Sequence, residues 1–156
     1  MATIVVETGS GSSTANSYIS ESELATYASD RGVTLTGTPS VLIIQAMDYL
    51  ESRNFIGTKS TLEQSLQWPR TGVEIDNWYI VSDSIPVLLK EAEMELCIAL
   101  DGGVNPLANQ DRKTLKEKVG ELEVEYAPSA LAITYLTAVE AKLKKLLLPT
   151  ARIIRV

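Results

Sequence analysis

A tryptophan beside a proline-stiffened turn and followed by an arginine offers a rigid aromatic anchor next to a planar charged fork, and Trp68-Pro69-Arg70 has that order. Such a trio suits protein interfaces and nucleic-acid stacking alike. It suits a loop plug equally well, the indole filling the domain's own core and the guanidinium capping a carboxylate. The residues leave both readings open. Ten positions on, Trp78-Tyr79-Ile80-Val81 is a short β-prone piece carrying two more aromatic rings.

Carboxylates are the other candidate chemistry, because Asp and Glu alone can run acid/base catalysis. Glu91, Glu93 and Glu95 are spaced by two within a helical segment, so they point in different directions; Glu91 and Glu95 are like-charged neighbours on a solvated face. Glu121, Glu123 and Glu125 share one face at strand spacing, a row facing solvent or the lumen of an assembly. No partner motif accompanies either set, so a solvated face is the reading for both. The Gly9-Ser10-Gly11-Ser12-Ser13 stretch lacks the lysine and spacing of a phosphate-binding loop and reads as a flexible connection.

The chain contains no histidine, which removes Ser-His-Asp triads, Cys-His pairs and His-ligated zinc. Its single cysteine, Cys97, lies in the apolar run Met94 to Leu100 and reads as an inert core thiol. Neither a catalytic set nor a metal or cofactor site is expected, so the chain reads as a non-enzyme. With 156 residues, 45% hydrophobic and 22% charged, it has the profile of one globular domain. A chain of that length buries about 70% of the surface its unfolded form exposes. No apolar stretch approaches the ~20 residues of a membrane span, and the N-terminus lacks a signal-peptide layout. A soluble protein of a reducing cytoplasm is the expectation.

The formal charge of -6 is unevenly divided: residues 1–128 carry -10 and residues 129–156 carry +4. An acidic body does not coat duplex DNA by neutralising its phosphates.

Several elements must position these groups. Ser20 and Glu23 form a capping box opening a helix to about Asp30, closed by Gly32. Thr38-Pro39 opens a second helix, Ser40 to about Arg53, with Val41, Ile44, Met47 (or Asp48) and Leu50 along it. Residues 58–84 form a long irregular loop, the kind that is functional or packed by its own side chains. Ser84-Ile85-Pro86 opens a third helix that buries Val87, Leu88, Ala92, Leu96, Ala99 and Leu100 and ends at Gly102-Gly103. Leu122, Val124 and Tyr126 alternate with the three glutamates, which predicts a small hairpin near 116–126. Pro128-Ser129 opens a last helix to Pro149, and Thr3 to Glu7 reads as a strand. The expected fold is mainly α: a bundle of about four helices over residues 1–148 with an extended arm at 149–156. Ile153, Ile154 and Val156 lie beyond the helical stop, and an apolar terminus of that kind suits a partner.

The segments Val6-Glu7-Thr8-Gly9-Ser10-Gly11, Ala15-Asn16-Ser17-Tyr18-Ile19-Ser20, Ala46-Met47-Asp48-Tyr49-Leu50, Gln67-Trp68-Pro69-Arg70, Ile85-Pro86, and Val119-Gly120-Glu121-Leu122-Glu123-Val124-Glu125-Tyr126 resemble, in order, a tailed-bacteriophage family. Its members carry the label DnaT-like single-stranded-DNA-binding protein, and they are similar to head-to-tail connector (adaptor, head-completion) proteins of the phage neck. The resemblance implies a virion protein, made in the host cytoplasm, forming a dodecameric ring under the portal vertex. Such a ring continues the DNA channel without gripping its cargo and meets a tail terminator, stopper or other neck protein through loops or a hairpin. It also implies a C-terminal arm docked on the portal, here Leu146, Leu147, Arg152, Ile153, Ile154, Arg155 and Val156. No catalytic residues follow from the resemblance. The alternative is a single-stranded-DNA-binding replication accessory that uses Trp68, Arg70, Trp78 and Tyr79.

Overall fold

The computed structural model describes residues 2–107, 116–119, 122–125 and 136–149. The fold is mainly α, with four helices and three two-stranded antiparallel ladders among the described residues. Helix α1 (Glu21–Asp30) begins at the expected capping box: the Glu23 amide donates to Ser20 Oγ and the Ser20 amide to Glu23 Oε2. Helix α2 (Pro39–Glu51) starts on proline, whose missing N–H costs nothing at that position. Helix α3 (Val87–Asp101) packs against α1, α2 and α4 (Thr137–Leu143), so it is the axis of the bundle.

The buried faces of α2 and α3 are rotated from the expected ones. Helix α2 buries Leu42, Ile43, Ala46, Met47 and Leu50 and leaves Val41 exposed. Helix α3 buries Leu89, Ala92, Glu93, Met94, Leu96 and Cys97 and leaves Val87 exposed. Both helices are apolar over more than one stripe, so periodicity alone does not choose the stripe that meets the partner helices. Each large side chain buried there stabilises the fold by about 1.5–3 kcal/mol.

The chain's first residues make only a single parallel bridge, Val6 with Ser17, rather than the expected strand. The 58–84 segment is more ordered than its composition suggests. Strand β1 (Thr58–Lys59) pairs with β2 (Arg70–Thr71), and β3 (Glu74–Ile75) with β4 (Trp78–Tyr79). Asp76 and Asn77, at φ 53° and 67°, form the two-residue turn between β3 and β4, the twist a tight hairpin requires. Gly57 has φ 73°, and a Cβ there would lie 2.4 Å from the Thr71 carbonyl, so only glycine lets the two segments close.

Strands β5 (Lys116–Val119) and β6 (Leu122–Glu125) form the expected hairpin. The chain re-enters at α4 and continues through Leu146, whose carbonyl accepts from the Ile56 amide, while the Leu148 amide donates to Asn54. Leu146 is fully buried, and Leu147 bridges Phe55. These two residues, expected in the docking arm, therefore belong to the body. Arg152, Ile153, Ile154, Arg155, Val156, Glu121 and Tyr126 lie outside the described residues, as does the start of the last helix.

Candidate functional site

The Trp68-Pro69-Arg70 motif faces inward. Trp68 is fully buried, edge-on to Phe55 with ring centroids 6.1 Å apart, and its backbone amide donates to the Tyr18 hydroxyl at 3.2 Å. The Trp68–Pro69 peptide bond is cis. The Arg70 guanidinium meets carbonyls instead of a carboxylate. It donates to the backbone oxygens of Phe55, Ile56, Gly57 and Gln67 and to the Gln67 side-chain oxygen. That fork gathers residues 55–57 and 67–70 into one unit, and burial lowers the guanidinium's pKa. Nothing of this trio is left to stack a base or hold a phosphate.

Two carboxylates, Glu7 at the end of the expected first strand and Glu93 among the glutamates read as solvated, are fully buried. Glu7 accepts from the amides of Gly9, Gly11 and Ser12 at 2.8, 3.1 and 2.7 Å. The glycine-rich loop does cradle an anion, and the anion is the protein's own side chain. The loop expected to be flexible is thereby tied down. Gly9 (φ 111°) also abuts the Asp83 carbonyl, 1.8 Å from where a Cβ would stand.

Glu93, at the buried centre of α3, lies 2.7 Å from Ser17 Oγ and accepts from the Tyr18 amide at 3.1 Å. Ser17 Oγ is also 2.7 Å from the Ile19 carbonyl. A hydroxyl has one hydrogen to give, so the two short contacts are both satisfied when Glu93 carries a proton and donates to Ser17 Oγ. Desolvation works in the same direction, pushing the Glu93 pKa up to about 8, opposed by the hydrogen bonds that Ser17 and Tyr18 donate to the ionised form. A glutamate evenly spaced among others gave no sequence signal of this, because its partners Ser17 and Tyr18 lie far from it in the chain. Cys97 is buried as expected, its thiol pKa raised by the same desolvation.

The outward counterpart is the β3–β4 hairpin. Trp78 and Tyr79 are 77% and 79% exposed, and Val81 and Leu62 are exposed as well. Trp78 lies opposite Ile75 and Tyr79 opposite Glu74, so the two rings present opposite sides of the ladder. The surroundings are acidic: Glu74, Asp76 and Asp83 are all exposed, and Asp76 pairs with Lys145 from the turn after α4. Residues 2–107 hold fourteen Asp and Glu against five Lys and Arg. Four of the described cations are drawn into the body's own contacts, Arg31 with Glu95, Arg53 with Glu140, Lys90 with Glu23 and Lys142 with Glu91.

In β5–β6, Glu123 stands opposite Lys118 and Glu125 opposite Lys116. The face expected to be an acidic row thus carries two lysines as well. Among the described residues no cluster of three or more Cys, Asp or Glu is arranged to hold a metal, and no helix is long and apolar enough to cross a membrane.

An inward aromatic motif and an outward aromatic hairpin on an acidic helical body define a small mainly α protein. Over residues 2–156 the chain matches the family described as "Putative DnaT-like ssDNA binding protein", and it belongs to that family. No curated protein and no solved structure matches it.

Proposed function

We propose that the chain is a structural subunit of a tailed-phage neck, a ring between the portal and the tail or stopper proteins through which DNA passes without being gripped. The observation that carries this reading is the exposed Trp78-Tyr79 pair set among Glu74, Asp76 and Asp83. Exposed aromatic rings anchor a protein partner well, whereas a strand of phosphates brought to the same place meets like charge. The apolar, basic sequence Arg152 to Val156 is the second docking element, directed to the portal, and the resemblance of the Gln67–Arg70 and Val119–Tyr126 segments to neck adaptors agrees with it.

Single-stranded-DNA binding is the second reading, favoured by the family's description. With Trp68 and Arg70 internal, it retains only Trp78 and Tyr79 as stacking platforms.

Electron microscopy of the purified chain, alone and mixed with portal-bearing heads that lack a neck, tests the proposal. Rings and added density below the portal are expected, and a chain cut after Pro149 is expected to lose that density while staying folded. Heads that gain no density, with the chain retained on single-stranded DNA at physiological salt, would replace the first reading by the second.

A further inference from the structure

The β5–β6 ladder has an arrangement of charge that its fold alone does not need. Residues directly opposite each other in an antiparallel ladder lie on the same face. The register therefore puts Lys116, Lys118, Glu123 and Glu125 on one face, and Glu117, Val119, Leu122 and Val124 on the other. On the charged face both cations belong to β5 and both anions to β6. The two outer edges of the ladder are consequently opposite in charge along that face, one a lysine row and the other a glutamate row.

A hairpin of two strands is marginally stable in water and leaves a row of backbone donors and acceptors open on each edge. Among the described residues, β5 and β6 pair and pack only with each other. We propose that this hairpin joins copies of the chain head to tail, the β6 edge of one copy pairing with the β5 edge of the next. Each junction then repeats the Lys-against-Glu pattern already present inside the hairpin. On the other face it sets Glu117 and Val119 of one copy opposite Val124 and Leu122 of the next, as inside the hairpin, and it satisfies the open backbone groups by strand addition. Rotation about an axis along the strands keeps their directions alternating, so every junction is antiparallel and the series closes into a ring without edges. A twofold dimer made through like edges sets lysine against lysine or glutamate against glutamate, which is unfavourable. The charge pattern thus selects the cyclic mode over the twofold one.

The inference deepens the ring reading and rests on it, and mixing charge variants tests it. K116E/K118E makes both edges acidic, and E123K/E125K makes both basic. By native mass spectrometry at moderate salt, the unaltered chain is expected to form closed oligomers and each variant alone to fall at least tenfold in oligomer population. An equimolar mixture is expected to regain oligomers containing equal numbers of the two variants. The internal pairs of each hairpin stay mismatched in the mixture, so recovery reports junctions between copies. The fourfold exchange K116E/K118E/E123K/E125K restores both internal and external pairs and is expected to assemble by itself. Unchanged assembly of either variant alone, a mixture that stays dissociated, or an unaltered chain that never assembles would overturn the proposal. Rings that ignore hairpin charge yet join heads would sink this inference and leave the neck reading standing; charge-dependent rings that join no head would do the reverse.

Discussion

Two tryptophans ten residues apart mark the two different kinds of region in this protein. Trp68 is sealed between Phe55 and the Tyr18 segment, and its neighbour Arg70 is consumed by five hydrogen bonds to oxygen acceptors. Trp78 opens the strand just after the two-residue turn, with three quarters of its surface in water. One region holds the chain's own loop together, and the other leaves two aromatic rings in water. The contrast assigns structure to the motif that looked most functional and leaves the piece that looked like an ordinary short strand as the exposed aromatic surface that the proposed function uses.

Substitutions break the comparison most sharply at the buried end. Trp68→Ala removes the largest fully buried side chain and should cost about 4 kcal/mol of unfolding free energy, measured by urea denaturation. Arg70→Lys keeps the charge and loses the fork, leaving several carbonyls unpaired, with an expected loss of about 3 kcal/mol. A loss below about 1 kcal/mol in either variant would mean that the motif is not the staple described.

Glu93 gives a pH-dependent test of the same interior. Its folded pKa of about 8 lies above that of an ordinary carboxylate, so its stabilising share is complete in mild acid. As pH rises from about 4.5, the unfolded chain releases the proton while the folded one retains it. This share of stability falls by up to about 1.4 kcal/mol per pH unit until about pH 8, where it levels. Glu93→Gln should flatten that decline in a series of denaturation curves from pH 5 to 8, and an identical decline in the variant would place the titrating group elsewhere.

The smallest effect on stability belongs to the hairpin. Trp78→Ser with Tyr79→Ser should change unfolding free energy by no more than about 0.5 kcal/mol, while association with neck-less heads drops at least tenfold. Large destabilisation would show that these rings pack somewhere the described surface does not reveal.

Much of the scaffold was legible in the residues. The Ser20/Glu23 box, the Pro39 and Pro86 helix starts and the 116–125 alternation all act through local backbone rules, which a sequence states openly. What was not legible depends on tertiary partners. The buried stripes of α2 and α3 are chosen by which helix arrives opposite, and Leu146 is internal because the Asn54–Ile56 segment comes back to meet it. The inward turn of Trp68 follows from Tyr18 and Phe55, both distant in sequence. Glu7 and Glu93 looked like any other carboxylate, since their partners are backbone amides and two serine hydroxyls. The Asp76-Asn77 pair was a readable signal for the tight turn, because both residue types tolerate positive φ.

That the exposed aromatic surface serves protein contact rather than nucleic acid can be tested with the protein's own fluorescence. Of the two tryptophans only Trp78 is open to a ligand, so quenching and peak shift report that hairpin directly. Titration with single-stranded oligothymidylate at physiological salt should leave the emission unchanged up to tens of micromolar, a range over which a stacked base would quench it. Saturable quenching that weakens steeply as salt is raised, and disappears in the Trp78→Phe variant, would contradict the claim and make this hairpin a single-stranded-DNA platform.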